Sequence, residues 1–250
     1  FTKKAEKYFL DALRINHLSF HVVNNIAGFY REEGKSNKAI EYYKKAISLN
    51  PNNSHIYNNL SKTYFDLNRH KDAKENSFRA LKLKPHDGDI EKTLSFIYLK
   101  DHDYENGWNY FDGRLSLNDF IKKNENIEKL NKKLFRKKMI NESTSKFLIV
   151  REQGVGDEIL YGSMYGDLLK DVENITIECD PRLLNLFKRS FLEYSNRFVE
   201  LGSISNNDYK LKKIDYVLYA GSLGKYYRRN LESFNSEPFI KVNEEKYKEI

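Results

Sequence analysis

Four pairs of like residues stand at one interval through the first half of the chain: Tyr30 and Tyr64, Ala39 and Ala73, Ala46 and Ala80, Pro51 and Pro85 are each 34 residues apart. A repeat of that length is one helical hairpin, which cannot bury its apolar face alone and must stack on a copy of itself. The residue types fit the roles such a unit needs. Ala27 or Ser61 lets the first helix lie close to the second, Ala39 and Ala46 or Ala73 and Ala80 do the same from the second, and Pro51 or Pro85 ends the unit because proline cannot continue a helix. One period back, Ala5 and Ala12 fall on the second helix of a truncated unit; one period forward come Leu94, Ser95 and Tyr98, then Gly107 and Phe111. The expectation is an α-helical solenoid of about three and a half units over residues 1–121.

Stacked hairpins leave a concave groove lined by first helices, a shape that binds peptides. Asn24 and Asn25 recur as Asn58 and Asn59, and His21 recurs as His55. Asparagine is a weak helix former, so amide pairs at the same repeat positions point to a ladder that hydrogen-bonds an extended peptide. The other reading has them facing water or capping loops. The histidines (His17, His21, His55, His70, His86, His102) show no metal-ligand spacing, and no metal is expected.

From residue 146 the pattern changes. Residues 146–151 read as a buried strand, and segments at Ile175 and Ile177, at 198–201 and at 215–219 read as three more. Helical patterns lie between them, from Asp157 to about residue 170 and from Pro181 with Leu183, Leu184 and Phe187 on one face. Strand and helix in alternation predict a doubly wound, mainly parallel α/β sheet, which binds ligands at the carboxyl ends of its strands. The domains expected are a repeat array over 1–121, a basic linker over 122–145 and an α/β lobe over 146–250.

Charge divides along the same line. Of the formal net charge of +7, the excess lies in residues 1–150, with 28 Lys and Arg against 19 Asp and Glu, whereas residues 151–250 carry 15 against 17. The densest run holds Lys122, Lys123, Lys129, Lys132, Lys133, Arg136, Lys137 and Lys138. Such a run can attract an anionic partner. Neither a recognition motif nor an aromatic stacking set accompanies it, so a solvated linker face is expected and nucleic acid is not an expected partner. No apolar run approaches the ~20 residues of a membrane span. Cys179, the single cysteine, excludes an internal disulfide or a zinc knuckle and suits a reducing cytoplasm. Closing the apolar run of Ile175 and Ile177, it reads as a packing residue rather than a reactive thiol.

Between the first strand and its helix lies Glu152-Gln153-Gly154-Val155-Gly156-Asp157. Glycines there let the backbone approach a ligand, and the N–H groups of the following helix favour anionic oxygen. Ile159 stands where a dinucleotide fingerprint needs its third glycine, and no phosphate-loop Lys-Ser/Thr pair follows, which argues against a nicotinamide enzyme. Asp157 reads either as a general base at a crevice mouth, taking a proton from an acceptor hydroxyl, or as a helix N-cap.

Gly107-Trp108, Tyr110 and Arg114, which close the last repeat, together with the Gly-Asp loop, resemble bacterial tetratricopeptide-repeat glycosyltransferase-like proteins. These are similar to the O-linked N-acetylglucosamine transferases in layout and to the lipopolysaccharide heptosyltransferases in the loop. The resemblance spans nearly the whole chain and thins from Ser203 onward. It implies the N-terminal lobe of a two-lobed, GT-B-like transferase that moves a sugar from a nucleotide-sugar to a protein or glycan acceptor, without a metal or other cofactor. By that resemblance Asp157 is the general base, Gln153, Gly154, Gly156 and Glu158 shape the acceptor side, and Asn25 and Asn59 grip acceptor peptide.

Two departures qualify what the resemblance implies. The donor nucleotide of that fold sits mainly on a second lobe, whereas this sequence stops at Ile250, so the donor site is expected outside it and the fragment alone is expected to be inactive. No histidine lies beyond His102, so a histidine base is unavailable in the α/β part. The opening Phe1-Thr2-Lys3, without Met or a signal peptide, likewise suggests a start inside a longer protein. The rival expectation is a non-catalytic protein-binding scaffold with a degenerate α/β lobe.

Overall fold

The computed structural model describes residues 2–16, 18–129, 133–134, 144–152 and 154–243, and the chain divides into two compact units, 1–117 and 118–250. In the first unit the repeat interval sets the helix starts. Helix α1 (Thr2–Ile15) is followed by three hairpins: α2 (Phe20–Glu32) with α3 (Ser36–Leu49), α4 (Ser54–Asp66) with α5 (His70–Leu83), and α6 (Gly88–Lys100) with α7 (Tyr104–Phe111). First helices start 34 residues apart, as do second helices, with α1 at the place of a second helix.

Local chemistry explains this regularity. Each first helix opens on a polar cap at one repeat position: Ser19 Oγ accepts the Val22 N–H at 3.4 Å, Asn53 Oδ1 the Ile56 N–H at 3.3 Å, and Asp87 Oδ1 the Asp89 and Ile90 N–H groups at 3.0 and 3.3 Å. Each closes on a residue in the left-handed region, Gly34, Asn68 or His102, with φ of 72°, 57° and 61°. The following N–H, from Lys35, Arg69 or Asp103, reaches back to the carbonyl of Tyr30, Tyr64 or Tyr98 at 2.8–2.9 Å, a Schellman closure. The second helices α3 and α5 stop two residues before Pro51 and Pro85.

Small residues are buried where the helices of a hairpin meet: Ala27, Ser61 and Ser95 in the first helices, Ala39, Ala73 and Gly107 in the second. In the second hairpin, where serine replaces alanine, the hydroxyl finds partners, Ser61 Oγ donating to the Ala73 carbonyl at 2.8 Å and meeting Ser77 Oγ at 2.7 Å. Around them Val23, Ile26, Tyr43, Ile56, Leu60 and Ile97 form one continuous core. The period fails at the end of α7. There a 3-10 turn, Asp112–Ser116, puts Arg114 where Ala46 and Ala80 stand, and its buried guanidinium donates to the Phe111 carbonyl at 2.9 Å and lies 4.2 Å over the Phe111 ring.

In the second unit α8 (Asn118–Lys123) and α9 (Glu125–Lys129) precede the strands β1 (Lys133–Leu134), β2 (Phe147–Val150), β3 (Ile175–Cys179), β4 (Phe198–Glu200) and β5 (Tyr216–Tyr219). All pairings are parallel, in the order β1-β5-β2-β3-β4. Every residue of β2 and β5 is buried, as central parallel strands require. Residues 130–132 and 135–143, half of the expected basic linker, lie outside the described residues.

The helix expected from Asp157 to about residue 170 is two helices, α10 (Val155–Gly162) and α11 (Tyr165–Asp171). The break follows Gly162, where a Cβ would stand 2.8 Å from the Phe187 ring. The remaining helices are α12 (Pro181–Ser190), α13 (Asp208–Lys212) and α14 (Gly224–Tyr227). Tyr165, Phe187, Phe191 and Phe198 pack together with ring centroids 5.5–6.5 Å apart. No helix among the described residues is long and apolar enough to cross a membrane.

Candidate functional site

On the array, α2 and α4 bring the repeated amides together. Asn59 Nδ2 donates to Asn24 Oδ1 at 3.3 Å, and Asn24 Nδ2 donates to Asn25 Oδ1 at 3.4 Å. Asn25 is exposed and the other two are half-buried. A primary amide carries two donors and a two-lone-pair acceptor, so the row has capacity beyond these bonds. Asn58, the repeat counterpart of Asn24, plays a different part. It is buried and donates to Asp89 Oδ2 at 2.7 Å, an oxygen that Lys62 Nζ also reaches at 2.7 Å. The cause is one period away, since α6 supplies Asp89 where α4 supplies His55.

The amide row borders an open cleft of about 420 Å³, with Phe9, Gly28, Phe29 and Tyr43 among its lining and Arg31 and Glu32 beside them. Arg31 is matched within the array, its Nε donating to Asp66 Oδ2 at 2.6 Å. Burial pushes the Tyr43 hydroxyl up to about 12, so it stays neutral and can both donate and accept. The role of Gly28 is not legible from one residue alone. The signal lies in the repeat comparison, where positions 28, 62 and 96 hold Gly, Lys and Phe.

The second unit presents the glycine loop. The chain leaves β2 toward β3 and returns to β5 on the other side of β2, so the carboxyl ends of β2 and β5 form the topological switch point of the sheet. Glu152 spans that crevice: it is buried, and its Oε1 accepts the Gly221 N–H at 2.6 Å from the 3-10 turn Ala220–Leu223. Arg151 pairs with Glu158 at 2.7 Å and with Asp180 at 3.1 Å. Glu158 Oε1 accepts the Asp180 N–H at 2.9 Å. Burial raises the Glu158 carboxyl above the usual carboxylate range despite those partners. The Arg182 side chain and N–H, with Arg151, hold Asp180 well below that range.

Asp157 is half-exposed and accepts the Gly154 N–H at 3.2 Å, a capping contact made from the third helical position, with Gly154 itself at the N-cap. Glu158 faces inward with no exposed surface, because the next residue along a helix points about 100° away and here that direction meets the sheet. Gly154 and Gly156 are exposed, and the fold does not need glycine at either. A Cβ at 154 would meet only Asp157 Oδ2 at 3.7 Å, and one at 156 nothing within 4 Å. Gln153 lies outside the described residues. Glu152 was not among the residues the sequence pointed to. Its one signal there is a carboxylate placed directly after a buried strand.

Stacked hairpins with this period and these caps define a tetratricopeptide-repeat array. Residues 29–68 match the TPR repeat family and residues 54–87 the Tetratricopeptide repeat family. Among solved structures, the crystal structure of MamA is similar at 19% identity, covering 49% of this chain and 72% of that one, with a TM-score of 0.43. A chain of the APC/C hetero-tetramer Cut9–Hcn1 is similar at 20% identity, covering 49% of this chain and 23% of that one, with a TM-score of 0.45. No curated protein matches the sequence.

Proposed function

We propose that the chain is a protein-binding scaffold whose array receives an extended peptide segment across α2 and α4. The observation that carries the reading is the row Asn24, Asn25 and Asn59 beside an open cleft. An extended backbone presents N–H and C=O groups in alternation, and amides can answer both without a charge to desolvate. Each hydrogen bond of this kind contributes on the order of 1 kcal/mol, so losing two weakens binding about tenfold or more. The test is an immobilised peptide library probed with the wild type and with Asn25→Ala/Asn59→Ala. At least a tenfold loss with an unchanged helical spectrum supports the groove, and undiminished binding by the double variant contradicts it.

Sugar transfer is the second reading, and one observation favours it: two exposed glycines that the fold does not require, at the carboxyl edge of β2 beside Asp157. Under it Asp157 takes the proton of an acceptor hydroxyl, and the nucleotide-sugar is held by a second lobe of a longer protein. The scaffold reading is favoured because Asp157 caps α10, Glu158 is tied to Arg151, and Glu152 fills the switch point. Asp157→Asn separates the two. The scaffold reading predicts peptide binding unchanged by it, and loss of transfer in a two-lobed form of the protein would favour the enzyme.

A further inference from the structure

One repeat position differs from hairpin to hairpin in a way that packing does not explain. In the second hairpin Lys62 lies along the array and meets Asp89 at 2.7 Å; in the third, Phe96 projects with 42% of its surface exposed and its ring 6.4 Å from that of Phe111. In the first the residue is Gly28, in the middle of α2, where glycine weakens a helix relative to alanine. The fold does not ask for it. A Cβ there would meet only Tyr43 Oη, at an ordinary 3.7 Å, and the backbone is right-handed helix.

The missing side chain leaves a hollow in the cleft of about 420 Å³, a size within the roughly 300–1,000 Å³ of small-ligand clefts. Phe9 and Phe29 contribute aromatic lining, their ring centroids 5.5 Å apart, and Tyr43 supplies a hydroxyl. The lining holds one charge of each sign, Arg31 and Glu32, so it carries no net charge to select a charged occupant. From these observations we infer that the Gly28 hollow is a specificity pocket for one uncharged aromatic or large aliphatic side chain of a peptide whose backbone lies on the amide row. The inference rests on the peptide-binding reading above.

The experiment uses the intact chain and a degenerate peptide library in which one position is fixed in turn as each residue type, with affinities of selected members measured by fluorescence polarisation. The wild type selects aromatic or large aliphatic residues at the fixed position. Gly28→Ala keeps that preference. Gly28→Phe, the residue of the third hairpin, loses it together with at least tenfold in affinity while its helical spectrum and melting are unchanged. Gly28→Leu fills the same space without a ring and gives the same loss, which covers the case in which phenylalanine disturbs the packing. If both filled variants fold and bind with wild-type preference while Asn25→Ala/Asn59→Ala does not bind, the pocket is wrong and the groove stands. Selection of Lys, Arg, Asp or Glu at the fixed position also overturns the pocket. Failure of the wild type to bind any member overturns both.

Discussion

Gly28 and Cys179 show how far a single residue constrains this molecule. Because Gly28 sits in a helix interior with room for a methyl group, Gly28→Ala should stabilise the array by about 0.5–1 kcal/mol, read as a higher urea midpoint of the helical signal. Destabilisation would mean that a neighbour closes on the position. Cys179 is fully buried, and burial pushes its thiol up to about 12. In the native protein it should resist a thiol reagent at about pH 8 and react once urea opens the second unit; rapid native labelling would contradict the packing described. A packing role for this cysteine is what its place after Ile175 and Ile177 suggests. Asp157 and Glu158 are harder to read from sequence. They are chemically alike neighbours, and only the seating of α10 on the sheet decides which one faces water.

Among the elements, caps carry the register. Asp87 holds two N–H groups of α6 and meets Lys84 Nζ at 2.7 Å, so Asp87→Ala should cost about 1 kcal/mol, with Ser19→Ala and Asn53→Ala costing similar amounts at their own helices. Denaturant titration checks the series, and a loss at only one of the three would break the equivalence of the hairpins. In the second unit, Asp180 joins β3 to α12 through Arg182 and Arg151. Its folded pKa is depressed, so the stability it gives is present above its ordinary value of 3.8 and is lost as pH falls below that. Urea midpoints of Cys179 exposure should therefore fall on acidification, less steeply in Asp180→Asn.

The helix starts and the long strands are legible in sequence because caps, prolines and buried runs are local signals. The close approach of Gly162 to the Phe187 ring and strand β1 are not, since both depend on partners far along the chain, the second on pairing with β5.

At the scale of the whole molecule, the chain carries two cores with separate logic, a stacked array and a parallel sheet. The array's period announces its groove, yet the groove's content is not periodic: Asn58 turns to Asp89, and Gly28 opens where Lys62 and Phe96 fill. Sequence alternation shows the sheet but not the closure of its switch point, because Glu152 and Gly221 are 69 residues apart. The groove on the array is open, whereas Glu152 bridges to Gly221 across the sheet crevice.

The most direct measurement follows the side-chain amide resonances of Asn24, Asn25 and Asn59 while the tightest library peptide is titrated into the labelled chain. With peptide seated on the amide row, these three signals shift and saturate with the Kd of overall binding. Shifts confined to the residues of the glycine loop, with the three amides unmoved, would contradict it.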